Sequence, residues 1–246
     1  MSVRNIKALM KSEIGSYMVS PAAYVFVIIF LLLSGSFTFL LGGFFQSGQA
    51  TLNGFFMWHP WLYLFMVPAA GMHLWSEERR SGTLELLFTM PVTPFECIIA
   101  KFLAAWTFIA VGLLCTFPVV LTVSYLGDPD FGAIMTGYLG SILMAGAYLA
   151  ITGFTSAITR SQVVSFIISV VVCLLLIFIG WPPITNTLID WAPRVLIDFF
   201  ASLSVMSHFE SIQRGVIDSR DLLYYFSVIG FFLFLTSITL KNHRSG

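Results

Sequence analysis

Residues 132–158 read GAIMTGYLGSILMAGAYLAITGFTSAI, a run without one Asp, Glu, Lys or Arg. A helix rises about 1.5 Å per residue, so this stretch outreaches the roughly 30 Å hydrocarbon layer of a bilayer. Working outward, five more stretches share its character: 21–44, 55–74, 102–126, 163–181 and 222–240, none containing any of the four charged residue types. The composition agrees. Of 246 residues, 58% are hydrophobic and 10% charged, with twelve Lys/Arg set against twelve Asp/Glu; soluble domains carry about 25% charged residues. That excludes a soluble enzyme and a disordered tail. A net charge of zero also excludes nucleic-acid binding through a basic surface. The expected fold class is an all-α integral membrane protein with six transmembrane helices, forming one domain over 1–246.

The sparse charges orient the bundle. With both termini in the cytoplasm, Arg4, Lys7, Lys11, Arg79, Arg80, Lys101, Arg160, Lys241 and Arg244 lie inside, and only Arg194, Arg214 and Arg220 outside. This is the bias of the positive-inside rule. Trp75 then marks the inner boundary, and Trp181 and Trp191 the outer one. The first apolar run is longer than the roughly 7–15 residues of a signal peptide's core and ends in a poor cleavage site, Gly42-Gly43-Phe44, so it is expected to be retained.

Residues 1–20 place Val3, Ile6, Met10, Ile14 and Tyr17 at helical spacing and Arg4, Lys7 and Lys11 on a separate stripe, the pattern of an interfacial helix on the lipid headgroups. Ser20-Pro21 reads as N-cap and first-turn proline of the first span. Pro118 predicts a kink in the third. Gly137 with Ser141, Gly146 with Ala150 and Gly153 with Ala157 are four-residue spacings that favour close helix contact, within one chain more readily than between two. The outer segment, 184–221, holds apolar clusters too short to cross (Val195–Ile197, Phe199–Phe200, Leu203–Met206) and is expected to form amphipathic or re-entrant helices. Gly215 marks a bend there, and Asp218 with Asp221 can cap the last span.

Sites for chemistry are missing from the pattern. No phosphate-binding loop, zinc-protease pair or nucleophile elbow occurs, and apart from histidines near their ends the spans lack the ionisable residues, Asp, Glu or Lys, that usually mark a proton relay. Cys97, Cys115 and Cys173 match no metal or disulfide spacing. His59, His73, His208 and His243 are scattered without a neighbouring carboxylate, and read as interfacial or solvated. The expectation is a chain that is not itself an enzyme and binds no metal or cofactor.

The most informative segment is the charged elbow, 75–101. Ser81-Gly82 breaks the helix arriving from the second span, residues 83–90 suffice for two helical turns ended by Pro91, and Thr93-Pro94-Phe95-Glu96 spells a capping box. The segment SEERRSGTLELLFTMPVTP at 76–94, followed by AKFL at 100–103, resembles the permease subunits of ABC-2 type transporters, whose first cytoplasmic loop runs acidic–basic–x–Gly-Thr–x–Glu–x–Leu, then Pro, then Lys at the third span. Glu78, Gly82, Thr83, Glu85, Leu87, Pro91 and Lys101 match; Ala100 departs, where relatives often carry Gly. The stretch HFESIQRGVID at 208–218, with His208, Glu210, Arg214, Gly215 and Asp218, is similar to the branch of gliding-motility and nitrous-oxide-reductase-maturation permeases.

The resemblance implies partners: a cytoplasmic ABC ATPase docking at the elbow, a second permease chain, and an outer-facing protein in some systems, all in a bacterial inner membrane. Leu84, Leu86, Leu87 and Phe88 would anchor a short coupling helix in a groove of the ATPase, a helix-in-groove contact. Glu77, Glu78, Arg79, Arg80 and Glu85 would stiffen the elbow or pair across that interface. The competing readings are an ATPase-independent scaffold or anchor, and an ATP-independent channel or carrier.

Overall fold

A computed structural model describes residues 3–83, 93–180 and 202–242. Every regular element among them is helical. In order they are α1 Val3–Val19, α2 Pro21–Ser36 with a π-helical turn at Phe37–Leu41, α3 Phe44–Ser47, α4 Asn53–Met57, α5 His59–Gly71, α6 His73–Ser81, α7 Pro94–Leu114, α8 Phe117–Leu126, α9 Phe131–Ile158, α10 Gln162–Phe178, α11 Val205–Gln213 and α12 Ser219–Asn242.

Four helical segments among the described residues are long and apolar enough to cross a membrane: Pro21–Gln46, Pro94–Leu126, Phe131–Ile158 and Ser219–Lys241. The protein is therefore a multi-pass membrane protein. Gln162–Phe178 is apolar but shorter; Trp181 and Trp191, the rest of that expected span and the first part of the outer segment, to 201, lie outside the described residues. The stretch 55–74, expected as one helix, is instead cut into α4, α5 and α6. Its prolines explain the cuts. Pro60 sits in the first turn of α5 and Pro68 inside it, where a missing N–H weakens the ladder, and the chain turns at Met72. The path stays nearly continuous, because Leu62 N–H reaches the Trp58 carbonyl at 2.9 Å and Met72 N–H the Pro68 carbonyl at 2.8 Å.

Proline also breaks the third span, but earlier than the residue itself. Pro118 has no N–H for the Leu114 carbonyl, and its ring crowds that group. Accordingly α7 stops at Leu114 and α8 restarts at Phe117. Thr116 covers the gap, its hydroxyl reaching the Leu113 carbonyl at 2.6 Å and pairing with the Tyr138 hydroxyl at 2.8 Å. At the end of α2, Gly42 N–H bonds back to the Phe37 carbonyl at 2.6 Å. A Cβ on Gly42 would stand 2.7 Å from the Thr38 carbonyl oxygen, so this turn admits only glycine. Pro21 opens α2 as expected, but Ser20 makes no side-chain cap bond.

The centre is α9. It starts at Asp130, whose carboxylate accepts from Gly132 and Ala133 N–H. It packs against α5, α6, α7, α10, α11 and α12. Its small residues are where partners press in. Gly137 lies under the Phe56 ring, Gly140 under Ile212, and Gly146 under Trp106 and Ile229. Trp106 also donates from Nε1 to the Ile142 carbonyl at 2.8 Å. The glycines are thus consumed inside the chain. A second polar seam joins α9 to α10, where Thr155 Oγ1 lies 2.5 Å from Ser169 Oγ and 3.3 Å from Ser165 Oγ.

The N-terminal helix differs from a helix resting freely on lipid. It docks along α7, with Leu9 and Tyr17 packed against the core and Tyr17 stacked on Phe108 at 4.9 Å. Arg4, Lys7 and Lys11 are exposed.

Candidate functional site at the charged elbow

The elbow is built from two helix ends that are each locked by local chemistry. The descending helix, α6, ends at Gly82, whose φ of 72° is the left-handed conformation that glycine adopts without Cβ strain. The ascending helix, α7, begins with the expected capping box: Thr93 Oγ1 accepts from Glu96 N–H at 3.3 Å, and Glu96 Oε2 accepts from Thr93 N–H at 3.1 Å.

Above the tip, α6 is fastened to the last turn of α9 at two adjacent residues. The Ser156 hydroxyl accepts from the N–H groups of Trp75 and Ser76, each at 3.0 Å, and donates to the Met72 carbonyl at 2.8 Å. The break at Met72 leaves the first N–H groups of α6 in need of an acceptor, and the Met72 carbonyl also accepts from the Ser76 hydroxyl at 2.6 Å. Next to it, the Arg79 guanidinium donates from Nη1 to the Ala157 carbonyl, capping the negative end of α9. Partial burial and the neighbouring Arg160 hold the Arg79 pKa below its ordinary value.

Lys101 is the junction. Its Nζ lies 2.7 Å from Glu78 on α6 and 3.2 Å from Glu13 on α1, donates to the Leu74 carbonyl at 3.4 Å, and sits 5.4 Å from the Trp75 ring centre. With its side chain only 12% exposed, burial alone would favour the neutral amine. Two ion pairs, to Glu78 and Glu13, meet that cost. One ammonium therefore ties α1, α6 and α7 together.

Of the expected elbow residues, Glu78, Arg79 and Lys101 turn inward and are partnered. Glu77, Arg80, Gly82 and Thr83 are exposed at the tip. Leu84, Glu85, Leu86, Leu87, Phe88 and Pro91, and with them the expected short helix, lie outside the described residues. Glu13 and Ser156 were missed. Glu13 had a signal: three residues after Met10 and four before Tyr17, it places a carboxylate on the apolar stripe, where a cation must meet it. Ser156 had none, since its partners lie far off in the chain.

At the opposite end, two expectations about histidine fail. His59 is fully buried rather than interfacial, its Nδ1 3.0 Å from the Phe55 carbonyl and its ring packed against Phe55 and Tyr63. His208 does have a carboxylate neighbour: Nδ1 is 2.6 Å from Asp221, Nε2 is 3.0 Å from the Ser202 carbonyl, and the ring stacks on Tyr224 at 4.1 Å. Asp218 caps α12, accepting from Arg220 N–H at 3.0 Å, while Asp221, in the first turn of the helix, pairs with His208 instead. Gly215 makes the expected bend at φ 90°. Glu210 and Arg214 form an exposed pair at 3.7 Å, the kind that contributes little. The Gln213 side chain donates to the Asn53 carbonyl at 3.0 Å, tying α11 to the residues before α5.

A family model described as ABC-2 family transporter protein matches residues 64–240. The chain belongs to the ABC-2 transporter family. No curated protein matches it significantly. The ABC-2 match starts inside α5 and ends near the close of α12, so it takes in the elbow, the central α9 and the His208–Asp221 pair. Membership makes the chain a membrane-embedded permease component of an ABC transporter.

Proposed function

We propose that this ABC-2 chain is the transmembrane subunit through which a separate cytoplasmic ATPase drives export, or mechanical work on an outer-facing partner, across a bacterial inner membrane. In this reading the chain crosses six times with both termini in the cytoplasm, α1 lies at the headgroup level with Arg4, Lys7 and Lys11 toward anionic lipid, and two permease chains act with two ATPases. The second chain can be a copy or a homologue. The likeness of residues 208–218 to the gliding-motility and nitrous-oxide-reductase-maturation branch favours the mechanical variant.

The observation that carries the reading is the Lys101 junction. A loop that only connects two spans does not need its flanks fixed by a buried ammonium, a capping box and hydrogen bonds to two residues of α9. A loop that receives force does, because a stroke delivered to a slack segment dissipates there. The tip leaves Glu77, Arg80 and Thr83 exposed, and the apolar residues Leu84, Leu86, Leu87 and Phe88 follow directly.

Co-expression with the cognate ATPase and affinity purification in mild detergent tests it. Leu86→Asp with Leu87→Asp is expected to abolish co-purification while the permease still inserts and elutes as a single peak. An intact complex from that double variant refutes docking at the elbow.

A further inference from the structure

At the end of the bundle opposite the elbow, His208 holds more hydrogen bonds than a neutral histidine can make. Its Nδ1 lies 2.6 Å from Asp221 Oδ1 and its Nε2 3.0 Å from the Ser202 carbonyl oxygen. A carbonyl only accepts, and so does an ionised carboxylate, so both ring nitrogens must donate. A neutral imidazole has one N–H and can make one of these bonds; the other would set a nitrogen lone pair against an oxygen. Moving the shared proton onto Asp221 leaves the count unchanged. The two bonds together hold one proton more than a neutral ring and an ionised carboxylate do.

The surroundings leave that proton as the one variable. Asp221 is 5% exposed, and among the described residues its one ion pair is with His208. The His208 side chain keeps 16% of its surface in the open, so it can exchange protons with water. Imidazole titrates between about pH 5 and 8; the other groups packed around the ring do not. Tyr224 stacks on it at 4.1 Å and donates to the Leu203 carbonyl at 2.7 Å, and Tyr225 donates to the Val205 carbonyl at 3.1 Å; phenols keep their protons throughout that range. The helices α9 and α10, also packed on α11, bring the buried Tyr148 and Cys173 near those tyrosines, and α4 brings no titratable group. Glu210, Arg214, Asp218 and Arg220 are exposed.

We propose that His208 and Asp221 form a proton-operated latch, which fastens the chain entering α11 to the start of α12. With the proton bound, the ring bridges Asp221 to Ser202. When the proton leaves, the remaining N–H stays with the carboxylate, the stronger acceptor. The Nε2 lone pair then meets the Ser202 carbonyl, and that tie is lost. Ser204 follows two residues on and caps α11, its Oγ accepting from Met206 N–H at 3.2 Å, so the first turn of α11 loosens. Tyr224 and Tyr225 keep their bonds, and the rest of α11 stays docked. Acid closes the latch and alkali opens it. The latch requires no ATPase, so its test stands apart from the coupling role.

The experiment is hydrogen exchange by mass spectrometry of the full chain in dodecyl maltoside, from about pH 5.5 to 8.5, each rate divided by the intrinsic exchange rate at that pH. Protection over residues 203–208 is expected to fall about tenfold as pH rises, while the first turn of α7 keeps its own. His208→Gln, which donates without titrating, should give protection that does not change with pH. Asp221→Asn separates the latch from simple packing. Its amide can donate to a neutral Nδ1, so both bonds form without the extra proton, and protection should stay high at the alkaline end. Wild-type protection that is flat across the range overturns the proposal, as does a pH dependence that survives in His208→Gln. Asp221→Asn protected no better than wild type at the alkaline end overturns it too. His208→Gln decides the matter where Asp221→Asn fails to insert.

Discussion

Replacing Lys101 with Met tests the junction most directly. At an effective dielectric of about 20, an ammonium attracts carboxylates at 2.7 and 3.2 Å by about 6 and 5 kcal/mol. Removing the cation from water offsets much of that, and the measured cost of breaking a buried pair is about 3–5 kcal/mol, mostly the penalty of the stranded partner. Glu78 and Glu13 are 24% and 31% exposed, so the lower half of that range is expected. For a chain of this size each kcal/mol moves Tm by about 2–4 °C, which puts the loss at roughly 6–16 °C. The assay is thermal unfolding in dodecyl maltoside, followed by size-exclusion fluorescence. Glu13→Gln and Glu78→Gln added to Lys101→Met remove the stranded charges and should recover most of the loss. A Tm within 2 °C of wild type for Lys101→Met, or a triple variant no better than the single one, refutes the junction.

Other perturbations probe the remaining contacts. Ser156→Ala removes three hydrogen bonds at the Met72 break and should cost about 1–3 kcal/mol, read as a lower Tm and faster hydrogen exchange at Trp75 and Ser76. Gly137→Leu drives a side chain into the Phe56 ring, where even a Cβ would stand 2.5 Å away; overpacking of about 1–3 kcal/mol or more should appear as reduced monodisperse yield. His208→Ala strands Asp221, and hydrogen exchange across α11 should quicken while the elbow keeps its protection.

Much of the architecture was legible because it is written in local chemistry. The capping box at Thr93–Glu96, the stop at Gly82, the bend at Gly215 and the small residues of α9 each act on neighbours within one or two turns, so spacing alone reveals them. The second span was misread as a single helix because an apolar count does not register what Pro68 does to a backbone ladder. The histidine error has a different source. His208 and Asp221 sit on separate helices, and only the fold brings the ring between a carboxylate and a carbonyl. Glu13 stands at the border between these cases: the sequence shows a carboxylate on an apolar stripe, but only the packing of α1 on α7 names Lys101 as the reason.

Ser156 and Ala157, consecutive residues at the end of α9, hold α6 through one hydroxyl and one carbonyl. Bonds so close together act as a pivot, about which α6 can tilt but from which it cannot slide away. On the proposed coupling role, a push on the tip would bear on the end of α9 at this one point, and α9 would carry it to its far half, which is wedged against Phe56 and Ile212.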